Sequence, residues 1–468
     1  MGKSKQMIAE QVRILDMGDQ GMGIGKDPEG RVYLVRDAVP GDLVDIEVKK
    51  HRNRLGNGRP VRMLESSSWR THPFCSHFGV CGGCKWQHMS YEGQLSYKFK
   101  NVADALKRIG GLPDPQVRPI CGAPEDRYYR NKLEFSFGNS RWLEPDELTR
   151  EGAPDRNALG FHRPGSFEKI VDITHCHLQP EPSNAIRNAV RTWAKEKGHT
   201  FYDVKNHSGF LRNLIIRTTT LGQVMVTLVT GEDLPEALEQ INQLLLLQFP
   251  QITTLYHIHN PKKNDTIFDL DLHLVHGPGY ILESIGQLQC RIGPKSFFQT
   301  NSIQAARLYG FVEEFAKLTG HEIIYDLYSG TGTIGLFLAG RCRQVIGVEE
   351  VPEAVEDAYL NASLNQIKNV VFHTGDVRKM MMEGLFGREG KPDLIVLDPP
   401  RAGLHQDILP LLIDSGAPKI IYVSCNPATQ ARDLKVLCTA YEHRISQPVD
   451  MFPHTAHIEN VTLLELKS

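Results

Sequence analysis

Short apolar and alternating runs, broken at close intervals by glycine and proline, fill residues 1–68. Val32-Tyr33-Leu34-Val35 and Leu43-Val44-Asp45-Ile46-Glu47-Val48 have strand composition; Gly21, Gly23, Gly25, Pro28, Gly30 and Pro40-Gly41 punctuate them. About five short strands in so small a segment predict a closed barrel, because closure removes exposed strand edges. From 69 to 285 the pattern is mixed. Residues 91–112 carry Tyr97, Val102, Ala105, Leu106 and Ile109 at helical spacing and stop at Gly110-Gly111. Residues 186–197 read as an amphipathic helix and 213–220 with 223–230 as paired strands. The stretch 139–166, rich in Pro, Gly and charge, reads as an exposed loop. From 286 onward, apolar strands at 323–327, 345–348, 370–372, 394–397 and 420–423 alternate with helical patterns such as 334–339 and 353–361. That alternation predicts a parallel sheet covered by helices on both faces. The last β runs, 444–449 and 461–466, lack a helix-length crossover and should pair antiparallel at the sheet edge. No internal repeat or low-complexity tract interrupts this order.

Composition supports three cored units. Of the 468 residues 41% are apolar, too many for a disordered chain. Lys plus Arg number 53 and Asp plus Glu 55, a net charge of -2, so an anionic partner must be met by a local patch. One candidate lies between Lys49 and His72, where Lys49, Lys50, Arg52, Arg54, Arg59, Arg62 and Arg70 face a single acid, Glu65. A small basic barrel suits RNA, although a solvated basic loop has the same composition. No apolar run approaches the roughly 20 residues of a membrane span. No signal-peptide core follows Met1–Gln6, so a cytosolic location is expected. Nine cysteines, an odd number, are then ligands, nucleophiles or core fillers rather than disulfides.

The strand 323–327 runs into Tyr328-Ser329-Gly330-Thr331-Gly332-Thr333-Ile334-Gly335 and then a helical pattern. This is a Gly-x-Gly-x-x-Gly turn in strand–turn–helix context, where glycines let the backbone approach a nucleotide cofactor. The motif alone leaves a dinucleotide and S-adenosylmethionine both open. Glu349, at the tip of the next strand, is placed for ribose hydroxyls; Asp376, after the third, lies at the edge where adenine would sit. Three successive tips with suitable groups argue against a merely tight turn.

The fourth strand ends in Asp398-Pro399-Pro400-Arg401-Ala402-Gly403 and the fifth in Ser424-Cys425-Asn426-Pro427. Ligands of open parallel sheets sit beyond the carboxyl ends of the strands, so Asp398 and Cys425 aim into one site. A cysteine ending a buried strand is often only a small core residue. Polar Ser424 and Asn426 beside it argue for a nucleophile. Glu459 opens the last strand. If that strand pairs beside Cys425, Glu459 faces the same pocket as a candidate general base. Upstream, Cys75-x5-Cys81-Gly82-Gly83-Cys84 gathers three cysteines that need a fourth ligand from Cys176, Cys121 or His88. Zinc and an iron–sulfur cluster both take thiolates at this spacing.

Together these motifs resemble the RNA 5-methyluridine methyltransferase family, in its iron–sulfur branch that acts on 23S ribosomal RNA, over nearly the whole chain. The resemblance implies an α/β fold. A class I (Rossmann-like) methyltransferase domain would occupy 286–468. An N-terminal OB-like TRAM β-barrel would occupy 1–68 and a central α+β iron–sulfur domain 69–285, with 91–112 packing in part on the catalytic domain. Cys75, Cys81, Cys84 and Cys176 match the family's cluster cysteines, which implies a 4Fe–4S cluster rather than zinc. Gln299, in Ser296-Phe297-Phe298-Gln299-Thr300-Asn301, matches a contact to S-adenosylmethionine, as do Tyr328, Glu349 and Asp398; Gly330, Gly332 and Asp376 join them from the strand-tip reading. Cys425 matches the nucleophile and Glu459 the base. The expected partner is RNA, in the first place 23S ribosomal RNA, with no membrane, and the chain is expected to act as a monomer.

The chemistry explains the residue types. Carbon 5 of uracil is too weak a nucleophile to attack a methyl sulfonium, and a thiolate added at carbon 6 makes it an enolate carbon. The target base must leave any helix in which it is stacked. A transfer RNA is the alternative substrate within the family. Outside it, an N-methyltransferase would not need Cys425, an oxidoreductase would bind a nicotinamide cofactor, and an RNA-binding scaffold would leave the strand-tip residues without a purpose.

Overall fold

The computed structural model describes residues 7–18, 21–52, 55–149, 152 and 154–468. The first five strands are β1 (Met7–Met17), β2 (Gly23–Lys26), β3 (Val32–Val35), β4 (Leu43–Arg52) and β5 (Leu55–Glu65), closed as a barrel in the order β1-β2-β3-β5-β4. Alternate residues point inward: Val12 and Ile14, Tyr33 and Val35, Val44 and Ile46 form its core. Part of the basic run is committed within the protein. Arg59 pairs with Glu47 and Arg70 with the buried Asp42. Arg54 lies outside the described residues, as do the side chains of Lys50 and Arg52.

The central region holds β6 (Lys132–Gly138), β7 (Ala158–Arg163), β8 (Ser166–Asp172), β9 (Leu211–Thr218), β10 (Val224–Thr230), β11 (Ile252–His259) and β12 (His273–His276) in one sheet, ordered β12-β11-β10-β9-β6-β7-β8. Every residue of β9 and β10 is buried, so both faces of the sheet are covered at its centre. The 139–166 stretch is not one exposed loop. It contains the short helix Pro145–Leu148 and β7, whose Ala158, Leu159 and Gly160 are buried. Loop-like composition on either side hides this strand. Its Gly160 is needed for close approach, because a Cβ there would meet the Val171 carbonyl oxygen at 2.0 Å.

Helix α1 (Tyr91–Arg108) begins at Ser90, whose side chain accepts the Gly93 amide, and carries basic Lys107 and Arg108 in its last turn. Its Val102, Ala105 and Leu106 pack with Leu434 and Leu437 of the catalytic region. The hairpin β13 (Ile281–Ile285) and β14 (Leu288–Ile292) packs on that region too, through Ile281, Ile285, Cys290 and Ile292. A boundary at 286 would therefore divide the hairpin.

The catalytic sheet comprises β15 (Ile323–Leu327), β16 (Gln344–Glu349), β17 (Val370–Thr374), β18 (Leu394–Leu397), β19 (Lys419–Ser424), β20 (Tyr441–Val449) and β21 (Glu459–Leu466), in the order β17-β16-β15-β18-β19-β21-β20. β15 to β19 are parallel, and β21 is antiparallel to both β19 and β20. Successive strands run outward from β15 in one direction and then from β18 in the other. That switch point opens a crevice at the carboxyl ends of the strands. Among the described residues, no helix is long and apolar enough to cross a membrane.

Candidate active site

The turn after β15 is built for close backbone approach. Tyr328, Gly330 and Gly332 have φ of +68°, +54° and +75°. The Tyr328 and Ser329 amides both donate to the Val348 carbonyl at 3.0 Å. At Gly332 a Cβ would stand 2.8 Å from the Phe372 ring. Asp326, buried at the end of β15, accepts the Gly335 amide at 2.8 Å through Oδ2, and its Oδ1 has no partner. Burial, reinforced by the charge of Glu349, pushes its pKa up to about 7.

Glu349 braces the same turn. Its carboxylate accepts the amides of Gly330 at 2.9 Å and Val351 at 3.0 Å. A carboxylate has about four lone-pair sites, so two remain for a ligand's hydroxyls. Asp376 caps the helix Val377–Met382 by accepting the Lys379 amide at 2.8 Å. The segment bearing Gln299 is pinned by its backbone. Asn131 donates from Nδ2 to the Gln299 carbonyl and from its amide to the Thr300 carbonyl, both at 2.8 Å. Asn301 caps the helix Ser302–Ala316 and donates to the Met451 carbonyl at 3.2 Å.

Cys425 and Glu459 occupy adjoining strand ends. The β19–β21 ladder runs through Ser424↔Asn460, and the next positions outward are Cys425 and Glu459. Glu459 is also paired on its other side with Val449. Burial, then the negative charges of Glu459 and Asp398, push the Cys425 thiol up to about 11. The buried Glu459 carboxyl is held well above its ordinary range by desolvation and by Asp398. Asp398 is pushed up to about 7 by desolvation and by Asp326. Three carboxyl groups and one thiol thus influence one another at these strand ends, and Arg401 opposes them, pulling both Cys425 and Glu459 down. Such a site favours a cationic ligand. Arg401 was not singled out from the sequence; its signal was its place three residues after Asp398. Its carbonyl accepts Asn426 Nδ2 at 3.1 Å and Thr429 Oγ1 at 3.2 Å, tying the two strand tips together.

A second constellation lies upstream. Cys75, Cys81, Cys84 and Cys176 line one cavity, with His77, His175 and His177 on its walls. Burial, then the neighbouring thiols, pushes Cys81 up to about 12. Burial likewise raises Cys84 to about 12 and raises Cys75 and Cys176. Four sulfur donors around one cavity suit a thiophilic metal centre, whose positive charge would ionise them. Among the described residues, no three His, Cys, Asp or Glu side chains are gathered tightly enough to hold a metal ion. The other two fourth-ligand candidates do not line this cavity. Cys121 is buried against the core of the C-terminal sheet, and His88 is buried beside Phe78.

Comparison with known proteins gives the family. The family model described as tRNA (Uracil-5-)-methyltransferase matches residues 217–467, and the TRAM domain model matches residues 10–61. An uncharacterized RNA methyltransferase of Bacteroides thetaiotaomicron is 48% identical over 455 residues, covering 96% of this chain and 100% of the relative. One from Porphyromonas gingivalis is 45% identical, with 97% and 99% covered. The solved structure of the Pyrococcus abyssi tRNA (uracil-54, C5)-methyltransferase in complex with S-adenosyl-L-homocysteine is 30% identical. It superposes with a TM-score of 0.75 and covers 97% of this chain and 100% of its own. The chain is therefore an S-adenosylmethionine-dependent RNA methyltransferase and belongs to the RNA uracil-5-methyltransferase family.

Proposed function

We propose that this enzyme methylates carbon 5 of a uridine in 23S ribosomal RNA through a covalent Cys425–uracil adduct. The adjoining positions of Cys425 and Glu459 on β19 and β21 carry this reading. The Cys425 thiol gives its proton to water as its sulfur adds to carbon 6, and the ring electrons move onto the carbon-4 oxygen. S-adenosylmethionine, when bound, supplies the methyl group that carbon 5 takes. Glu459 then removes the carbon-5 proton, the carbon–sulfur bond breaks, and Cys425 leaves as thiolate. A carboxyl group with a raised pKa is a stronger base once ionised, which suits Glu459 to this step. Arg401 offsets the charges that oppose the thiolate.

Gln299, Tyr328, Gly330, Gly332, Glu349, Asp376 and Asp398 form the proposed cofactor cradle. Glu349 takes the ribose hydroxyls, and Asp398 faces the sulfonium. Cys75, Cys81, Cys84 and Cys176 are the proposed ligands of a 4Fe–4S cluster, which when bound supplies a rigid tie between the 75–84 segment and the segment bearing Cys176.

The barrel and the cysteine segment, which the family resemblance associates with ribosomal RNA substrates, support 23S RNA. A transfer-RNA target is the second reading, favoured by the full-length likeness to the Pyrococcus enzyme. Mapping 5-methyluridine in both RNAs from a deletion strain decides between them. The covalent step is tested on a denaturing gel with RNA and methyl-labelled cofactor. Glu459→Gln should trap a labelled protein–RNA adduct and Cys425→Ala should give none. An adduct in Cys425→Ala, or normal turnover by Glu459→Gln, would overturn the assignment.

A further inference from the structure

The loop between β20 and β21 delivers Glu459 to its strand end, and it is held from a distant part of the chain. At its centre His454 has a φ of +64°, a left-handed conformation that a non-glycine residue keeps only where its surroundings enforce it. The His454 amide donates to Gln94 Oε1 at 2.8 Å. The His454 carbonyl accepts the amides of Lys85 and Trp86 at 2.8 and 3.1 Å. Gln94 Nε2 lies 3.1 Å from the His454 ring Nδ1, 3.0 Å from the Trp86 carbonyl and 2.8 Å from the Met89 carbonyl. A backbone amide can only donate, so Gln94 must present its oxygen there. Its NH2 then carries two hydrogens toward the Trp86 and Met89 carbonyls, with His454 Nδ1 beside it.

Gln94 has no solvent exposure. It is not needed to seal α1 to the catalytic core, since Val102, Ala105 and Leu106 do that. The flanks of the loop are anchored as well. Tyr91 donates to Asp450 Oδ2 and Lys98 to the Phe452 carbonyl, both at 3.0 Å. Cys425 is held differently. The turn that follows β19 is tied to the Arg401 carbonyl through Asn426 and Thr429, and none of these bonds involves α1.

We propose that Gln94 is a positioning residue for Glu459: by locking His454 it sets the carboxyl group's approach to the uracil ring while leaving Cys425 unaffected. This rests on the covalent reading of Cys425 and Glu459. It separates two steps that a general loss of structure would impair together. A displacement of about 1 Å can cost on the order of 100-fold in rate, so loosening the loop should be visible in the proton-removal step.

The test uses full-length enzyme, the RNA that the wild type methylates, and the same RNA containing 5-fluorouridine. Fluorine cannot leave as a cation, so that RNA reports adduct formation alone. For Gln94→Met, adduct formation on the fluorinated RNA should stay within about threefold of wild type. Release from natural RNA should slow by roughly 10- to 100-fold, so that methylated adduct accumulates. Amides of residues 450–458 should exchange hydrogen faster, and those of β19 should not. Tyr91→Phe, which removes the bond to Asp450 and the one accepted from the Ala123 amide without opening a large cavity, should show the same split in smaller measure; it carries the test if Gln94→Met does not fold. Equal slowing of formation and release, or unchanged release with a normal adduct, overturns the positioning role alone. Absence of any adduct from wild type on the fluorinated RNA overturns the covalent reading and this proposal with it.

Discussion

Lys98 and Asp450 form an ion pair at 2.6 Å, with neither side chain exposed, although 352 residues separate them in sequence. Burial lowers the Lys98 pKa, and the Asp450 carboxylate opposes that shift. Removing one member strands the other's charge in the interior. Lys98→Met should therefore destabilise the fold by about 3–5 kcal/mol, while Lys98→Met with Asp450→Leu should recover much of the loss. Urea unfolding of the three proteins checks this; equal losses in the single and double variants would contradict it.

Glu349 braces the glycine turn and belongs to the proposed cofactor cradle, so its removal should be felt in ligand affinity. Glu349→Ala should weaken S-adenosylmethionine binding by roughly 1.5–3 kcal/mol, one to two decades in Kd. Because Glu349 also accepts the Gly330 and Val351 amides, Glu349→Gln should fall between the two, keeping one acceptor oxygen. Calorimetry that finds all three affinities equal would place the ribose elsewhere.

The carboxyl groups of Asp326 and Asp398 both stand near pKa 7, raised from ordinary values of 3.8. Between those values the unfolded chain binds fewer protons than the folded one. These two groups therefore contribute a loss of stability as pH rises from about 4 to about 7, opposed by His88, His257, His443 and His457, which are lowered to about 4 chiefly by desolvation and contribute a gain over the same range. In the proposed cradle, a sulfonium beside Asp398 would relieve the repulsion only when the carboxylate is ionised. The rise in Tm given by saturating S-adenosylmethionine should thus grow between about pH 5 and pH 8, and Asp398→Asn should flatten that growth. Thermal melts across this range, with and without cofactor, provide the measurement; a pH-independent rise would contradict it.

The four thiols of the upstream cavity would be protonated at neutral pH without a cation, given that Cys81 and Cys84 are pushed up to about 12. Metal loading should release protons. Protein purified without oxygen should contain iron and sulfide, and Ala at Cys75, Cys81, Cys84 or Cys176 should remove them. Cys121→Ala should not. Stoichiometric zinc with neither iron nor sulfide would overturn the cluster assignment.

Much of the catalytic sheet was legible because its strands are short apolar runs with polar or glycine-rich tips. The strands at 323–327 and 394–397 coincide with β15 and β18, and the final antiparallel pair lies at the edge. Cys425 and Asp398 could be aimed at one crevice from strand direction alone. The approach of Glu459 could only be stated conditionally, since it depends on the register between β19 and β21. Other features need three-dimensional contacts. Glu349 braces backbone amides besides facing the crevice, and Arg401 is the cation among the carboxyls. β7 was hidden because loop-like residues surround its three buried positions.

The partnership of α1 with the 450–458 loop has a consequence for how the molecule is made. The helix leaves the ribosome 352 residues before Asp450 exists to neutralise Lys98. At about 5–20 residues per second, that interval is roughly 18–70 s. Throughout it the inner face of the helix, with its lysine and glutamine, lacks its final environment. The contact between α1 and this loop must therefore form late, after Asp450 has been added to the chain. Until that contact forms, the loop that leads into Glu459 lacks the bonds that Gln94, Tyr91 and Lys98 give it.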